Sequence, residues 1–162
     1  MTQRAYAENT TVPISRSREE LERTLERFGA TAQAWMRDDE TQLVTLAFKR
    51  SGRGYRFVVR LPQWQDEHYL YTPTHQRRTE LKAREAADQE ARRRFRSLAN
   101  FVKALMDAAD TGIISAEDAL LPYLLLPNGE TVADSVGRWL PSLEAGETFN
   151  IGRALTAGRE EG

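Results

Sequence analysis

The side chains most able to do chemistry in this chain are arginines, and four of them occupy one short stretch. Arg92, Arg93 and Arg94 are consecutive, and Arg96 follows after one residue. An arginine can bind phosphate oxygens through two parallel hydrogen bonds and can release counterions from a nucleic-acid backbone. This stretch is therefore a candidate surface for the backbone of DNA or RNA. The alternative is a solvated helix face, neutralised by nearby carboxylates or by the acidic C-terminal third.

A second candidate site combines arginines with an aromatic ring. Arg56 and Arg60 are four residues apart in a segment of alternating pattern, so both side chains point to the same face of a strand. Trp35, together with Arg37, joins them if the register of the neighbouring strand allows it. On such a face the ring can stack on a base while the cations hold the backbone. The alternative is that the long basic helix covers this face and Trp35 belongs to the core.

A third group contains the chain's two histidines. Asp66, Glu67, His68 and His75 carry oxygen and nitrogen ligands of the kind that a metal-dependent nuclease uses. Their spacing matches no metal-binding motif, and a polar surface loop is the alternative. Phosphate-loop, dinucleotide, serine-hydrolase and zinc-protease motifs are absent, and so is cysteine. We therefore predict no catalytic residue, no metal and no cofactor, and we favour a non-enzymatic protein.

The charge of the chain is close to balanced overall but uneven along its length. The net charge is -1. Residues 1–76 hold 11 Lys and Arg against 10 Asp and Glu, or +1; residues 77–106 hold 9 against 4, or +5; residues 107–162 hold 3 against 10, or -7. With 40% hydrophobic and 29% charged residues, the composition is that of a globular domain. No run is long enough to cross a bilayer and no signal peptide is recognisable, so we expect a cytoplasmic protein with no membrane partner.

The elements that position these residues follow from hydrophobic periodicity. A capping-box spacing of Ser17 and Glu20 predicts a helix at about 18–28. Alternating apolar residues predict strands at 32–37, 42–49 and 55–61, joined by polar turns into an antiparallel meander. The N-terminal helix is the natural cover for its apolar face.

A long central helix is predicted at about 76–110. Its mostly polar first part, about 76–90, is expected to project from the core. Phe95, Leu98, Val102 and Leu105 form a heptad-like stripe. We expect the stripe either to pack on the sheet or to join two copies in a homodimer through the long helix.

The C-terminal region predicts a helix–strand–helix segment. Ser115 caps a short helix, residues 123–126 form a strand, a turn follows at 127–129, and a last helix ends near Pro141. The fold class is therefore α+β: a three-stranded meander packed by the N-terminal and long central helices. Residues 1–141 form one domain, and residues 142–162 are expected to be a flexible tail.

Several segments resemble a family of small bacteriophage and prophage proteins. The resemblance is carried by residues 7–14, 17–23, 27–30, 94–98, 112–113 and 125–132, and by Trp139 with Leu140. It extends over most of residues 5–140, and the loop at 62–78 and the tail depart from the pattern. The family is uncharacterised and supplies no catalytic residues. The resemblance implies a phage or prophage origin and the cytoplasm of a host cell.

These observations lead to two hypotheses. The first is a non-enzymatic phage-type accessory protein that binds nucleic acid in DNA transactions, and the expected contacts are Arg92, Arg93, Arg96, Arg56, Arg60 and Trp35. The second is a protein-interaction module, an inhibitor or adaptor of a host protein. In that case the acidic third of the chain faces a basic partner or imitates nucleic acid.

Overall fold

The computed structural model describes residues 11–140, and their fold is α+β, as predicted. The predicted tail, residues 142–162, lies outside the described residues. The larger elements are α1 (Ile14–Arg27), β1 (Ala30–Asp38), β2 (Leu43–Arg50), β3 (Arg53–Arg60) and α3 (Glu80–Asp110). The shorter ones are α2 (Glu67–Leu70), α4 (Ala116–Leu120), a 3₁₀ turn (Leu121–Tyr123) and α5 (Val132–Gly137). No helix within residues 11–140 is long and apolar enough to span a membrane.

Helix α1 begins four residues earlier than predicted, because its first turn is not capped by Ser17. The N-cap is Pro13, whose carbonyl accepts from the Ser17 N–H at 3.2 Å. Ser17 itself lies inside the helix, is 1% exposed, and its hydroxyl has no hydrogen-bond partner among the described residues. The predicted capping box was therefore wrong. The predicted end was right: Gly29 follows Phe28 with φ +88°, a conformation that glycine adopts without strain.

The three strands form the predicted antiparallel meander in the order β1-β2-β3. The register pairs Trp35 with Leu46 and Leu46 with Phe57, so these three side chains share one face, here called the inner face. Its central and β3 positions are buried: Val44, Leu46, Phe48, Tyr55, Phe57 and Val59. The hairpin between β2 and β3 turns at Ser51 and Gly52, which both have positive φ, as a tight two-residue turn requires.

Helices α1 and α3 pack against each other and cover the inner face. Leu21 and Leu25 of α1 meet Ala99, Val102 and Met106 of α3 in one core with the sheet. The core side chains of the stripe predicted on the long helix are therefore covered within one chain. A homodimer through Phe95 and Val102 would require this core to open, because both are at most 3% exposed.

The first part of α3 does not project from the core, contrary to expectation. Ala83 and Ala87 are 0% and 5% exposed, and Ala87 lines a cavity together with Ile14 and Trp35. Helix α2 packs on α3, and Trp64 lies 4.5 Å beneath the Arg84 guanidinium. Alanines every four residues leave room for close packing, a pattern that hydropathy alone does not distinguish from an exposed helix.

The C-terminal segment closes one edge of the sheet. Ser115 and Thr131 cap α4 and α5, and Thr131 forms a capping box with Asp134 that the sequence analysis missed. The strand predicted at 123–126 is reduced to two isolated bridges, one joining Leu124 to Tyr55 and one joining Leu125 to Thr131. A 3₁₀ turn occupies the preceding residues, and Pro122 within it donates no backbone hydrogen bond.

Candidate functional site

The arginines of the basic run are largely engaged within their own helix. Arg93 and Arg94 both donate to the Glu90 carboxylate, at 2.6 Å and 2.9 Å from their Nε atoms. Burial raises the pKa of Glu90, but the hydrogen bonds from Arg93 and Arg94 outweigh it and hold the pKa below its usual value. These cations are therefore partly neutralised before any ligand arrives.

The next arginine of the run joins two helices. Arg96 is paired with Glu20 of α1, and both side chains are about one-third exposed or less. Arg92 is partly buried, and its Nε has no hydrogen-bond partner among residues 11–140. Glu20 and Glu90 both lie outside the -7 segment. The ion pairs of the basic run described so far, to Glu90 and Glu20, are thus made with residues outside the acidic third.

The acidic third pairs instead with arginines of the sheet and of α1. Arg56 donates to Asp134 at 2.9 Å and to the Gly129 carbonyl at 3.1 Å. Arg50 contacts Glu117 at 3.3 Å, with its own side chain only 21% exposed. Hydrogen bonds from Thr131, and then the charge of Arg56, hold the pKa of Asp134 below its usual value.

Trp35 does not share a face with the sheet arginines, so that part of the predicted site was wrong. Arg56 pairs with Ala47, and Ala47 pairs with Ala34, which places Arg56 on the outer face. Trp35 is on the inner face, 6.0 Å from the Phe95 ring. Arg18 stacks on it at 4.4 Å, and its Nε1 donates to Glu22 at 2.6 Å. A shift of one residue in the register of β1 would place Trp35 on the other face, and the sequence alone does not specify that register.

The alternative prediction was that the long helix covers the face carrying Arg56 and Arg60. In the structure the long helix packs on the inner face, and this outer face is not covered by it. Its central positions are small or apolar side chains: Ala32, Ala34, Met36, Thr45, Ala47 and Val58. Met36 is 64% exposed and Val58 is 48% exposed. Three cations, Lys49, Arg56 and Arg60, lie around them, and Lys49 and Arg60 are exposed. Asp38 lies on the same face, across Leu43 from Arg60. Alternation along β1 and β3 was the signal that could have identified Met36 and Val58.

The two edges of the sheet are treated differently. Along β3, the Leu125 N–H donates to the Gly54 carbonyl at 2.8 Å, and Arg94 Nη1 donates to the Arg60 carbonyl at 2.5 Å. Leu125 also packs on Gly54, where an added Cβ would lie 3.4 Å from its Cδ1. Strand β1 pairs with β2 alone, and within residues 11–140 no strand adjoins its other edge.

Two cavities lie beside this free edge, on either side of Trp35. One, of about 400 Å³, is lined by residues 30–35 and by two carboxylates, Glu22 and Glu26. The other, of about 320 Å³, is lined by apolar groups including Phe95, together with Arg18 and Arg37 and a single carboxylate, that of Asp88. The groove beside β1 is therefore acidic near its start and predominantly basic near its end. Sequence reasoning missed Glu22 and Glu26, whose proximity to β1 depends on how α1 packs.

The histidine-containing loop forms a separate depression. Glu67, His68 and His75 line a cavity of about 770 Å³ together with Arg78 and Glu90, whereas Asp66 does not line it. Arg78 fixes this loop by donating to the carbonyls of Tyr69 and Tyr71. Within residues 11–140, no three His, Asp or Glu side chains are arranged to hold a metal ion.

Comparison with known proteins adds no family or relative. No family model matches the chain, and searches of curated proteins and of solved structures found no significant match. The resemblance to a phage and prophage family therefore stays a prediction.

Proposed function

We propose that this chain is a protein-interaction module that binds an acidic partner protein through the outer face of its sheet. The observation that carries the proposal is the exposure of Met36 and Val58 at the centre of that face. Exposed apolar groups clustered within a polar rim are typical of protein-binding surfaces. Of the rim cations, Arg56 is already paired with Asp134, whereas Lys49 and Arg60 are exposed, so an acidic surface is the complementary one.

The absence of an aromatic ring favours a protein over a base on this face. Single-stranded nucleic acid is held by rings on which bases stack. Within the described sheet, all outward-facing positions are non-aromatic, since Trp35 lies on the opposite side. Met36 and Val58 provide an apolar contact but no stacking platform. We assign the partner to the host-cell cytoplasm, in keeping with the phage resemblance.

The test replaces the apolar centre and a matched pair elsewhere. The double variant Met36→Glu/Val58→Glu should lose a complex that the full chain captures from nuclease-treated host lysate, because buried carboxylates would repel an acidic partner. The control Ile113→Glu/Leu121→Glu changes two apolar side chains that are also exposed, at 81% and 48%. Equal loss of the complex in both variants, or no loss in either, would refute this use of the outer face.

Nucleic-acid binding is the second candidate, and one observation favours it. Arg16 and Arg23 of α1 and Arg96 of α3 line one surface cavity of about 710 Å³. Three arginines converging from two helices could hold a phosphate backbone, although Glu19 and Glu20 line the same cavity.

Fluorescence anisotropy with labelled single- and double-stranded DNA across a salt series tests this second candidate. Binding should fall steeply with salt, and Arg16→Ala/Arg23→Ala/Arg96→Ala should weaken it and flatten its salt dependence. No binding at low salt, or unchanged affinity in the triple variant, would reject the assignment.

A further inference from the structure

Strand β1 has the properties of an edge that pairs with another chain. It is nine residues long, and its central residues 32–36 contain no charge and no proline. Natural proteins usually block exposed edges with charged residues, prolines or bulges, since an unpaired row of N–H and C=O groups recruits a further strand. Here a register irregularity lies only near the beginning, between Ala30 and Ala32, and charges occur only at the end.

The charged side chains beside this edge are separated by sign, with carboxylates near its start and arginines near its end. Glu22 and Glu26 line the cavity next to residues 30–35. Arg18 and Arg37 line the cavity at the other end, with Asp88 as its one carboxylate. Trp35 lies between the two cavities and belongs to both linings. An antiparallel copy of the same strand would place its basic end beside this acidic end, and its acidic end beside this basic end.

We propose that two copies of this chain pair through β1 in antiparallel orientation about Ala34, which joins their sheets into one of six strands. In this register, Arg37 of each copy lies opposite Thr31 of the other, at the irregularity between Ala30 and Ala32. Thr31 lines the same cavity as Glu26, so Arg37 of one copy reaches Glu26 of the other. The contact is isologous and therefore forms twice in each dimer.

The cost of rearranging these side chains is small. Arg37 now pairs with Asp39, but the two side chains are 61% and 77% exposed, and such surface pairs contribute little. Glu26 is exposed and has no ion-pair partner among residues 11–140. When the dimer forms, Arg37 leaves Asp39 and pairs with Glu26 of the second copy. An exposed ion pair is thus replaced by one at the interface.

This dimer is independent of the proposed function. It uses the edge of the sheet, whereas partner binding uses the outer face. Pairing through β1 would set the two exposed Met36 side chains on one continuous face and so extend the docking surface. Dimerisation can therefore fail while partner capture succeeds, and the two results can be read separately.

Sedimentation equilibrium of the full chain over a concentration series tests the proposal. We expect the native chain to dimerise. Glu26→Arg or Arg37→Glu alone should raise the dissociation constant of the dimer by about tenfold or more, because each places two like-charge contacts at the interface. The double variant Glu26→Arg/Arg37→Glu should restore the dimer by exchanging the charges. Lys103→Glu, on the exposed side of α3, serves as the matched charge reversal and should have no effect.

Three results would overturn the proposal. The first is a native chain that stays monomeric at about 100 μM, since a dimer with a dissociation constant of about 10 μM or less is mostly formed at that concentration. The second is a dimer that neither single charge reversal weakens, which would locate the contact elsewhere. The third is a double variant no better than the single ones. Circular dichroism of each variant separates loss of pairing from loss of folding, and Glu26 and Arg37 are exposed enough to be changed without unfolding the chain.

Discussion

The two edges of this three-stranded sheet have opposite fates. The edge of β3 is closed by the chain itself, through the bridge between Tyr55 and Leu124 and the bond from Arg94 to the Arg60 carbonyl. The edge of β1 and the outer face beside it are left open in the described part of the chain. An unprotected edge exposes backbone N–H and C=O groups that can pair with another chain. The β3 side of the sheet is therefore structural, whereas the β1 side is available for recognition.

The same comparison explains the charge asymmetry of the sequence. The acidic C-terminal third holds the closed side in place: Asp134 pairs with Arg56, and Glu117 pairs with Arg50. The basic run of α3 is balanced locally by Glu90 and Glu20. Among residues 11–140, the ion pairs shown for the two blocks are made with other parts of the molecule. Here each block pairs with whatever the packing brings near it.

The largest effect should come from releasing the segment that closes the β3 edge. Leu120 is 0% exposed and anchors α4 in the core. Leu120→Ala should lower the free energy of unfolding by about 3 kcal/mol, because it removes buried methyl groups and leaves a cavity. Urea denaturation measures the change.

The neighbouring leucine is a matched control for this change. Leu121 is 48% exposed, so Leu121→Ala should change the free energy of unfolding by less than about 0.5 kcal/mol. Similar losses in the two variants would mean that the C-terminal segment does not depend on Leu120, and the closed edge would lose its explanation.

A smaller effect is expected where Glu90 positions Arg94 against the end of β3. Glu90→Gln should cost about 1.5 kcal/mol at neutral pH, because charged hydrogen bonds from Arg93 and Arg94 are weakened. The folded-state pKa of Glu90 lies below its unfolded value of about 4.5. Its contribution is therefore complete above that pH and is lost as pH falls through the folded-state pKa.

Urea denaturation of both proteins at several pH values checks this dependence. The difference between native chain and Glu90→Gln should be largest at neutral pH and vanish in strong acid. Glu85→Gln, which removes an exposed carboxylate, is the control. Its free energy of unfolding should differ little from that of the native chain at any pH. A difference for Glu90→Gln that grows in acid would contradict the assigned direction of the pKa.

A still smaller effect should follow from neutralising Asp134, the partner of Arg56. Asp134→Asn should cost about 0.5 kcal/mol, since the ion pair is half-exposed. Amide exchange of Leu125, whose N–H bonds to Gly54, should quicken because the segment over β3 is held less firmly. In an Arg56→Met background the same substitution should have a smaller effect, and equal effects in both backgrounds would show that the pair contributes nothing.

The predictable part of the molecule is the part governed by local periodicity. The meander follows from the alternation of Val44, Leu46 and Phe48, and α3 follows from its heptad-like stripe. The role of Ser17 was predicted wrongly because a capping pattern is local, whereas the burial of its side chain depends on how the helix packs. The face of Trp35 and the fates of the two edges depend on register and on contacts between distant segments, which one sequence does not specify.

The smallest effect should occur on the open side, and a near-zero result there is informative. Met36→Thr/Val58→Thr replaces two exposed apolar side chains with residues suited to strands. The free energy of unfolding should change by less than about 0.5 kcal/mol, because few contacts are lost. Urea denaturation at a concentration where the chain is monomeric measures this change. A loss above about 1 kcal/mol would mean that the chain covers this face itself, and the open side would then be structural like the closed one. A near-zero change together with lost partner capture would separate the role of these side chains in recognition from any role in folding.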